Sequence, residues 1–317
     1  MKKLVSTYTG ILFSIAAVLF SIMAGGCASA ASRPFAVTYV KSPLNIPSII
    51  EKHLGLLEAE FGPLGYSVSH PEITSGAQQT QAMAAGSVQV ANCVGGTSLL
   101  IAASQGLDIK IAGIYSRAPK TYMLLVKDPS IRNIEDLKGK KVAGPKGTVL
   151  HQLLLAGLSK AGVSPLDVGH IEMGIPEAVA ALMSGSIDGA LAAGPAALKA
   201  MENGARTLFD GEGLVEATIL IGVSSDALKE IPDLPARMLK VHREALAYAE
   251  ANSGEAAKVI SEETGISPEQ VAGMAKLYDF DPEIREQDIK ELESTMRFLI
   301  EAELATNYVD PATLVVK

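Results

Sequence analysis

The segment Ala82 to Leu100, AMAAGSVQVANCVGGTSLL, recurs in design as Ala181 to Lys199, ALMSGSIDGALAAGPAALK, 99 residues further on (Gly185 against Gly86). Gly86 and Gly185, Ser87 and Ser186, Ala91 and Ala190, Gly95 and Gly194, and Leu99 and Leu198 coincide. Each copy reads as a helix end, a glycine turn, a short buried strand, a small-residue loop and a new helix. A solenoid needs three or more short repeats to close its core, so a single recurrence of so long a unit points to paired α/β lobes. The natural binding place is a cleft between them.

Helical and strand periods alternate along the rest of the chain. Phe35 to Val40 reads as a strand, followed by a turn-rich loop and a helix carrying Ile49, Ile50, Leu54 and Leu57 on one face. Strands are expected at Tyr66 to Ser69, Val88 to Ala91 and Ile109 to Ser116, with helices at Gln78 to Ala85 and Thr97 to Ser104. The grammar restarts at Arg117. Tyr122 to Val126 is strand-like, Lys141 to Gly144 enters the loop Pro145-Lys146-Gly147-Thr148, and a helix runs to Ala161. After His170 to Met173 come a helix from Pro176 to Ser184, the repeated strand Ile187 to Leu191, and a helix to Asn203. Thr218 to Val223 is long enough to cross back, and amphipathic helices follow at Leu234 to Ala251, Gly254 to Glu263, Pro268 to Lys276 and Asp288 to Thr306. The expected division is residues 33–116 with 222–317 in lobe 1 and 117–221 in lobe 2, joined by two strand-like crossings.

Lys2 and Lys3 precede the apolar run Ile11 to Ala24, which is short for a retained transmembrane helix, so residues 1–30 read as an export signal. Two processing routes stay open: ordinary cleavage after Ala28-Ser29-Ala30, or acylation of Cys27 after Gly25-Gly26, with Ala24 an imperfect lipobox residue. The expected location is extracytoplasmic, with membrane anchoring only if Cys27 carries lipid. Either route leaves Cys93 as the remaining cysteine, read as a small buried hydrophobe, so no disulfide staples the mature chain. Without Lys2 and Lys3, the 27 basic residues become 25 against 35 acidic, a charge of −10. That balance excludes a nucleic-acid footprint.

The run Ile134 to His151, IEDLKGKKVAGPKGTVLH, together with Ala77-Gln78-Gln79-Thr80-Gln81-Ala82 and the Gly-Ser-Ile-Asp segment at Gly185, resembles periplasmic solute-binding proteins of ABC importers. The branch is the one handling nitrate, sulfonate, taurine and pyrimidine precursors. The resemblance covers nearly the whole mature chain. It implies an α/β, two-lobe periplasmic-binding-protein-like (type II) fold that closes on a small solute and docks on a membrane permease, and it places Tyr39, Ser42 and Asn45 among ligand contacts. The chain departs from many relatives in having Ala192-Ala193-Gly194-Pro195 where an aromatic residue commonly precedes the proline, and in having no Trp. That argues against a flat-ring ligand and for a wider pocket at Gly194, with Met173 and Met183 as lining or core.

The residues themselves suggest an anion site. In open α/β sheets, loops at the carboxyl ends of strands bind ligands, and a helix starting there aims free N–H groups at them. Ser75-Gly76-Ala77 before Gln78, Gly95-Gly96-Thr97, and Lys146-Gly147-Thr148 before His151 have this form; each also reads as an ordinary N-cap with a turn glycine. Arg117, after Ser116, is either a bidentate clamp for a sulfonate or carboxylate or a hinge ion pair. Lys146 is a second cation or a solvated lysine, Tyr39 a ligand-packing or core tyrosine, and His151 a ligand contact or a packing residue.

Catalytic motifs are missing from the sequence. There is no Gly-x-Ser-x-Gly, no His-Glu-x-x-His and no Gly-Lys-Ser/Thr phosphate loop, and the five histidines have no metal-ligand spacing. Asp136 and Asp188 read as structural. The expectation is therefore a monomeric receptor without cofactor or metal, partnered by a small solute and a permease. Two alternatives stand beside it: an enzyme on the same bilobed fold, with His151 as its candidate acid or base, and a sensor that passes its closed state to a separate membrane protein.

Overall fold

The computed structural model describes residues 32–41 and 44–316; the segment read as an export signal, with Cys27, and the ligand candidate Ser42 lie outside them. The chain opens with β1 (Arg33–Ala36), α1 (Ile46–Leu54), α2 (Leu56–Phe61), β2 (Tyr66–Ser69), α3 (Gly76–Ala84), β3 (Val90–Gly95), α4 (Gly96–Ser104) and β4 (Ile109–Arg117). It continues with β5 (Tyr122–Val126), β6 (Lys141–Gly144), α5 (Val149–Lys160), β7 (Gly169–Glu172), α6 (Ile175–Ser184), β8 (Gly189–Ala193), α7 (Gly194–Glu202) and β9 (Arg206–Asp210). The last part comprises β10 (Thr218–Ser224), α8 (Ser225–Glu230), α9 (Leu234–Ala251), α10 (Ser253–Thr264), α11 (Pro268–Ala275) and α12 (Glu286–Glu301).

The two sheets share one plan. Val37 bridges Val90 in parallel, which joins the β1-β2 pair to the sheet β3-β10-β4 and makes the order β2-β1-β3-β10-β4. The other sheet runs β7-β6-β8-β5-β9. Position by position, β7, β6, β8 and β9 repeat β2, β1, β3 and β4. The fourth place in each sheet is taken by a strand from beyond the unit: β10 lies antiparallel between β3 and β4, and β5 antiparallel between β8 and β9. Each sheet is therefore completed by a strand that the crossing connections deliver. Such a strand is covered on both faces, which suits the continuous apolar runs YMLLV and TILIGV.

The repeated sequence produces repeated hydrogen bonds. Gly86 and Gly185 adopt left-handed backbone, at φ +72° and +77°. Their N–H groups donate to Met83 and Leu182, while Ser87 and Ser186 donate to Ala82 and Ala181. This is the Schellman closure of a helix, in which glycine avoids the Cβ clash of the left-handed region. The turn also explains a shift in phase. The strands begin at Val90 and Gly189, not at Val88 and Ile187, because the intervening residues close the turn before the chain extends.

Packing holds each sheet. On the second, Leu124, Val126, Val142 and Leu191 meet Leu150, Leu153, Leu154 and Leu158 of α5 in one buried cluster. On the first, Ile109, Ile111, Ile114 and Leu220 meet Leu99, Leu100 and the α12 residues Leu292, Met296 and Leu299. Each such side chain contributes about 1.5–3 kcal/mol on burial. Three expected elements differ: the single helix expected to carry Ile49, Ile50, Leu54 and Leu57 on one face breaks at the left-handed Gly55 into α1 and α2, which leaves Leu54 exposed. The first strand leaves its regular ladder after Ala36, with Val37 and Tyr39 held by single bridges to Val90 and Glu72. The last helix ends at Glu301, not Thr306, where Leu304 donates back to Leu299.

Candidate ligand cleft

A cleft of about 800 Å³ opens where five helices begin. Its wall includes Ser75 and Gly76 of the α3 start, Gly95, Thr97 and Ser98 at α4, Thr148 and Val149 at α5, Gly174 to Glu177 at α6, and Ala193, Pro195 and Ala196 at α7. The first turn of a helix presents N–H groups without intrahelical partners, and the macrodipole makes that end partly positive. No acidic residue sits in the first turn of α3, α4, α5 or α7. The first turn of α6 carries Glu177.

Close packing brings the α3 and α4 termini together. A Cβ on Gly76 would lie 2.6 Å from Ser98 Oγ, and one on Gly96 would lie 2.9 Å from Leu292 Cδ2. Both glycines are needed for approach, and Ser98 adds a hydroxyl beside the free α3 amides. Beneath them Thr38 Oγ1 donates to Gln79 Oε1 at 2.8 Å, and Gln79 Nε2 donates to the Cys93 carbonyl at 3.4 Å, tying α3 to β3. Cys93 is the bulge residue: Leu220 pairs with Val94 and Ile221 with Asn92, and Cys93 between them is left-handed at φ +72°. It is buried on the cleft wall. Burial pushes its thiol well above the ordinary range, so it behaves as a hydrophobe.

The wall is polar on one side and apolar on the other. Thr74, Ser75, Gln78, Thr97 and Ser98 face the cleft from the first sheet. The second sheet contributes mainly Ile175, Pro176, Ala193, Pro195 and Ala196, whose two prolines also lack N–H donors. Among the described wall residues the charged side chains are Lys41, Glu72 and Glu177. Lys41 and Glu72 pair with each other at 3.2 Å.

Of the residues singled out in the sequence, Ser75, Gly76, Gln78, Gly95, Thr97 and Thr148 line the cleft. Others take structural places. Arg117 is 7% exposed and is gripped by Asp288, Asp279 and two backbone carbonyls, which is the hinge-pair alternative and not a clamp on the cleft wall. Ser116 lies buried beside it in β4. Tyr39 is buried, donates to Glu263 Oε2 at 3.0 Å and carries Lys52 Nζ 4.1 Å above its ring; burial, then the Glu263 carboxylate, pushes its hydroxyl well above the ordinary range. Asn45 is buried next to the Cys93 thiol. His151 accepts from the Gly147 N–H and stacks on His170 with ring centroids 4.8 Å apart; burial, then His170 and Lys146, hold it down at about 4. Lys146 points to solvent, Met173 packs against the second sheet, and Gly96, Gly147 and Gly194 lie behind or beside the wall.

Sequence reasoning missed Lys41, Glu72, Thr74, Ser98, Tyr122 and Glu177. For Glu177 the signal was present: moving Ser75 to Gln78 along by the 99-residue repeat gives Gly174 to Glu177, so Glu177 is the counterpart of Gln78.

Two sheets of matching order, each completed by an exchanged strand, around a cleft floored by helix N-termini, define a two-lobe, type II periplasmic-binding-protein-like α/β fold. The chain belongs to the NMT1/THI5-like family, whose model matches residues 65–256. It is 36% identical to the taurine-binding periplasmic protein of Escherichia coli (strain K12) over 148 residues, 47% of this chain and 45% of that protein. The match therefore spans less than half the length of that relative. It is 28% identical over 233 residues to a putative aliphatic sulfonates-binding protein of Bacillus subtilis (strain 168), covering 73% of this chain and 70% of the relative. In fold it is similar to the alkanesulfonate-binding protein SsuA from Xanthomonas axonopodis pv. citri bound to MOPS, with a TM-score of 0.81 and 24% identity over 90% of this chain and 99% of the other.

Proposed function

We propose that this protein is a non-catalytic solute-binding receptor of an ABC-type importer, acting outside the cytoplasm. It captures a small sulfonate-class anion in the cleft and presents it to a membrane permease. The observation that carries this reading is the convergence of four helix N-termini without first-turn acids on one cleft. Together they favour an anion by roughly 1–4 kcal/mol, at about 0.3–1 kcal/mol each. Backbone amides and the hydroxyls of Thr74, Ser75, Thr97 and Ser98 suit the three acceptor oxygens of a sulfonate. The names of the taurine- and sulfonate-binding relatives support the same class.

The two bodies that close are the first sheet with the helices packed on it and the second sheet with its own helices. A ligand touching both walls binds the closed form better than the open one, and that difference in affinity drives closure. The closed monomer is what the permease recognises. Acylation at Cys27 would tether it to the membrane. The enzyme alternative loses its support, since His151, its candidate acid or base, stacks on His170 and is not among the residues that line the cleft.

Calorimetry against taurine, ethanesulfonate, sulfate and nitrate, with small-angle scattering of the same samples, tests the proposal. Binding of a sulfonate with compaction is expected. No binding across the series, or binding without compaction, refutes it.

A further inference from the structure

We propose that Gln152 and Thr295 form a latch between the two bodies, directly behind the ligand cleft, which sets solute affinity without touching the solute. This rests on the reading of the protein as a receptor that closes by moving one sheet, with its helices, against the other.

A second, small cavity of about 10 Å³ marks the place; its wall includes Thr97, Gln152, Thr218, Glu291 and Thr295. These residues come from both bodies. Gln152 belongs to α5, which packs on the second sheet, and Thr295 to α12, which packs on the first. Gln152 Nε2 donates to Thr295 Oγ1 at 3.0 Å, and the two residues are 7% and 4% exposed. A buried hydrogen bond thus crosses from one body to the other. Thr97 and Val149 line both this cavity and the ligand cleft, so the latch and the ligand site share the first turns of α4 and α5. Gln152, Thr218 and Thr295 themselves are not among the residues that line the cleft.

The polarity of the seam carries the argument further. Thr97 Oγ1 and Thr218 Oγ1 are buried without a hydrogen-bond partner among the described residues. Inside a permanent core an unpartnered hydroxyl is a standing cost, whereas at a seam that separates it regains water in the open form. The two hydroxyls therefore weigh against closure, and the Gln152–Thr295 bond weighs for it. Opposing contributions of similar size keep the open and closed forms close in free energy, so one hydrogen bond shifts their ratio several-fold and affinity follows the closed fraction. The seam also borders the connection from β9 of the second sheet to β10 of the first. There the Glu216 N–H donates to Glu291 Oε1 at 3.3 Å, and Ala217 is left-handed at φ +54°. A latch beside that connection acts on the motion itself and leaves the ligand contacts unchanged.

Calorimetry with ethanesulfonate as the probe, and small-angle scattering of the ligand-free chain, test the latch in Gln152→Leu, Thr295→Val, the double variant and Thr218→Val. Gln152→Leu and Thr295→Val should each weaken binding by about three- to tenfold and expand the ligand-free chain. The double variant should be no worse than either single one, because both remove the same bond. Thr218→Val deletes an unpartnered hydroxyl at nearly the same shape, so it should act in the opposite sense, tightening binding and compacting the ligand-free chain. Residues that merely support the fold would not produce opposite signs. Thr295→Val and Thr218→Val keep the test decisive if Gln152→Leu folds poorly. Unchanged affinity in every variant, or a loss in Thr218→Val that parallels Gln152→Leu, overturns the proposal. If ethanesulfonate does not bind the wild type, the sulfonate reading of the cleft fails on its own, while scattering still decides the latch: expansion in Gln152→Leu upholds it and identical profiles overturn it.

Discussion

Replacing Arg117 with alanine separates the two readings that its sequence position left open. Its Nε and Nη2 donate to the two carboxylate oxygens of Asp288, each at 2.6 Å, Nη1 reaches Asp279 Oδ2 at 3.3 Å, and the carbonyls of Asp281 and Glu283 accept at 2.9 and 2.8 Å. Arg117 and Asp288 are 7% and 3% exposed. Removing the cation strands a buried carboxylate and two carbonyls, and breaking a buried pair in this way costs about 3–5 kcal/mol. Asp288 keeps the Arg285 N–H at 2.7 Å, and Asp279 keeps the Arg285 guanidinium at 2.7 Å, so the lower end, about 3 kcal/mol, applies. In a chain of this size that lowers Tm by roughly 6–12 °C. Arg117→Lys should recover less than half of the loss, because an ammonium cannot make the two parallel bonds to Asp288. Urea unfolding followed by fluorescence or circular dichroism measures the stability, and calorimetry on the folded variant measures sulfonate affinity, which should stay within a few-fold of wild type. A stability loss under about 1 kcal/mol accompanied by abolished binding would refute the structural role and restore Arg117 as a ligand clamp.

The duplicated turns make a second test: Gly86→Ala and Gly185→Ala meet nothing within 4 Å of the new Cβ, so each should cost only the left-handed backbone penalty of about 1–2 kcal/mol. Unfolding free energies from urea titration that differ by more than about 2 kcal/mol between the two variants would show that the turns are not equivalent. Burial holds the Glu51 carboxyl up at about 8, so the native state keeps a proton that the unfolded chain releases in the usual carboxylate range. Its stabilisation is full below about pH 4.5 and is lost as the pH rises through about 8. Glu51→Gln should therefore gain on wild type at pH 9 relative to pH 5, and thermal melts that shift equally at both pH values would sink the idea. His242 and His151 act in the opposite sense: burial holds both down at about 4, so the native state stays uncharged while the unfolded chain takes up protons. Stability should fall as the pH drops from about 6.5 towards 4, and His242→Phe, if its ring packs on Tyr115 as His242 does, should flatten that limb of the melt profile.

Features that depend on near neighbours in the chain were legible before the fold was known. Glycine after an apolar helical face, at Gly86 and Gly185, predicts the left-handed turn because no other residue adopts it as cheaply. Serine, glycine and threonine before a helical period, at Ser75, Gly95 and Thr148, mark helix starts because their backbone and side-chain preferences act within one turn. These local signals also located half of the polar cleft wall. Arg117, Tyr39 and His151 were not resolved in the same way, since their partners Asp288, Glu263 and His170 lie 171, 224 and 19 positions along the chain.

The sequence alone determined that there are two units of one local design, where their helices begin, and that the loops opening those helices favour negative charge, because these follow from periodicity and backbone preference over a few residues. The tertiary structure decided which strand completes each sheet, that Cys93 occupies a bulge, that Lys41 is spent on Glu72, and that Glu177 lines the cleft. Those outcomes depend on which distant segments pack together, and packing is selected by the shape and burial of the whole chain, which no local window contains.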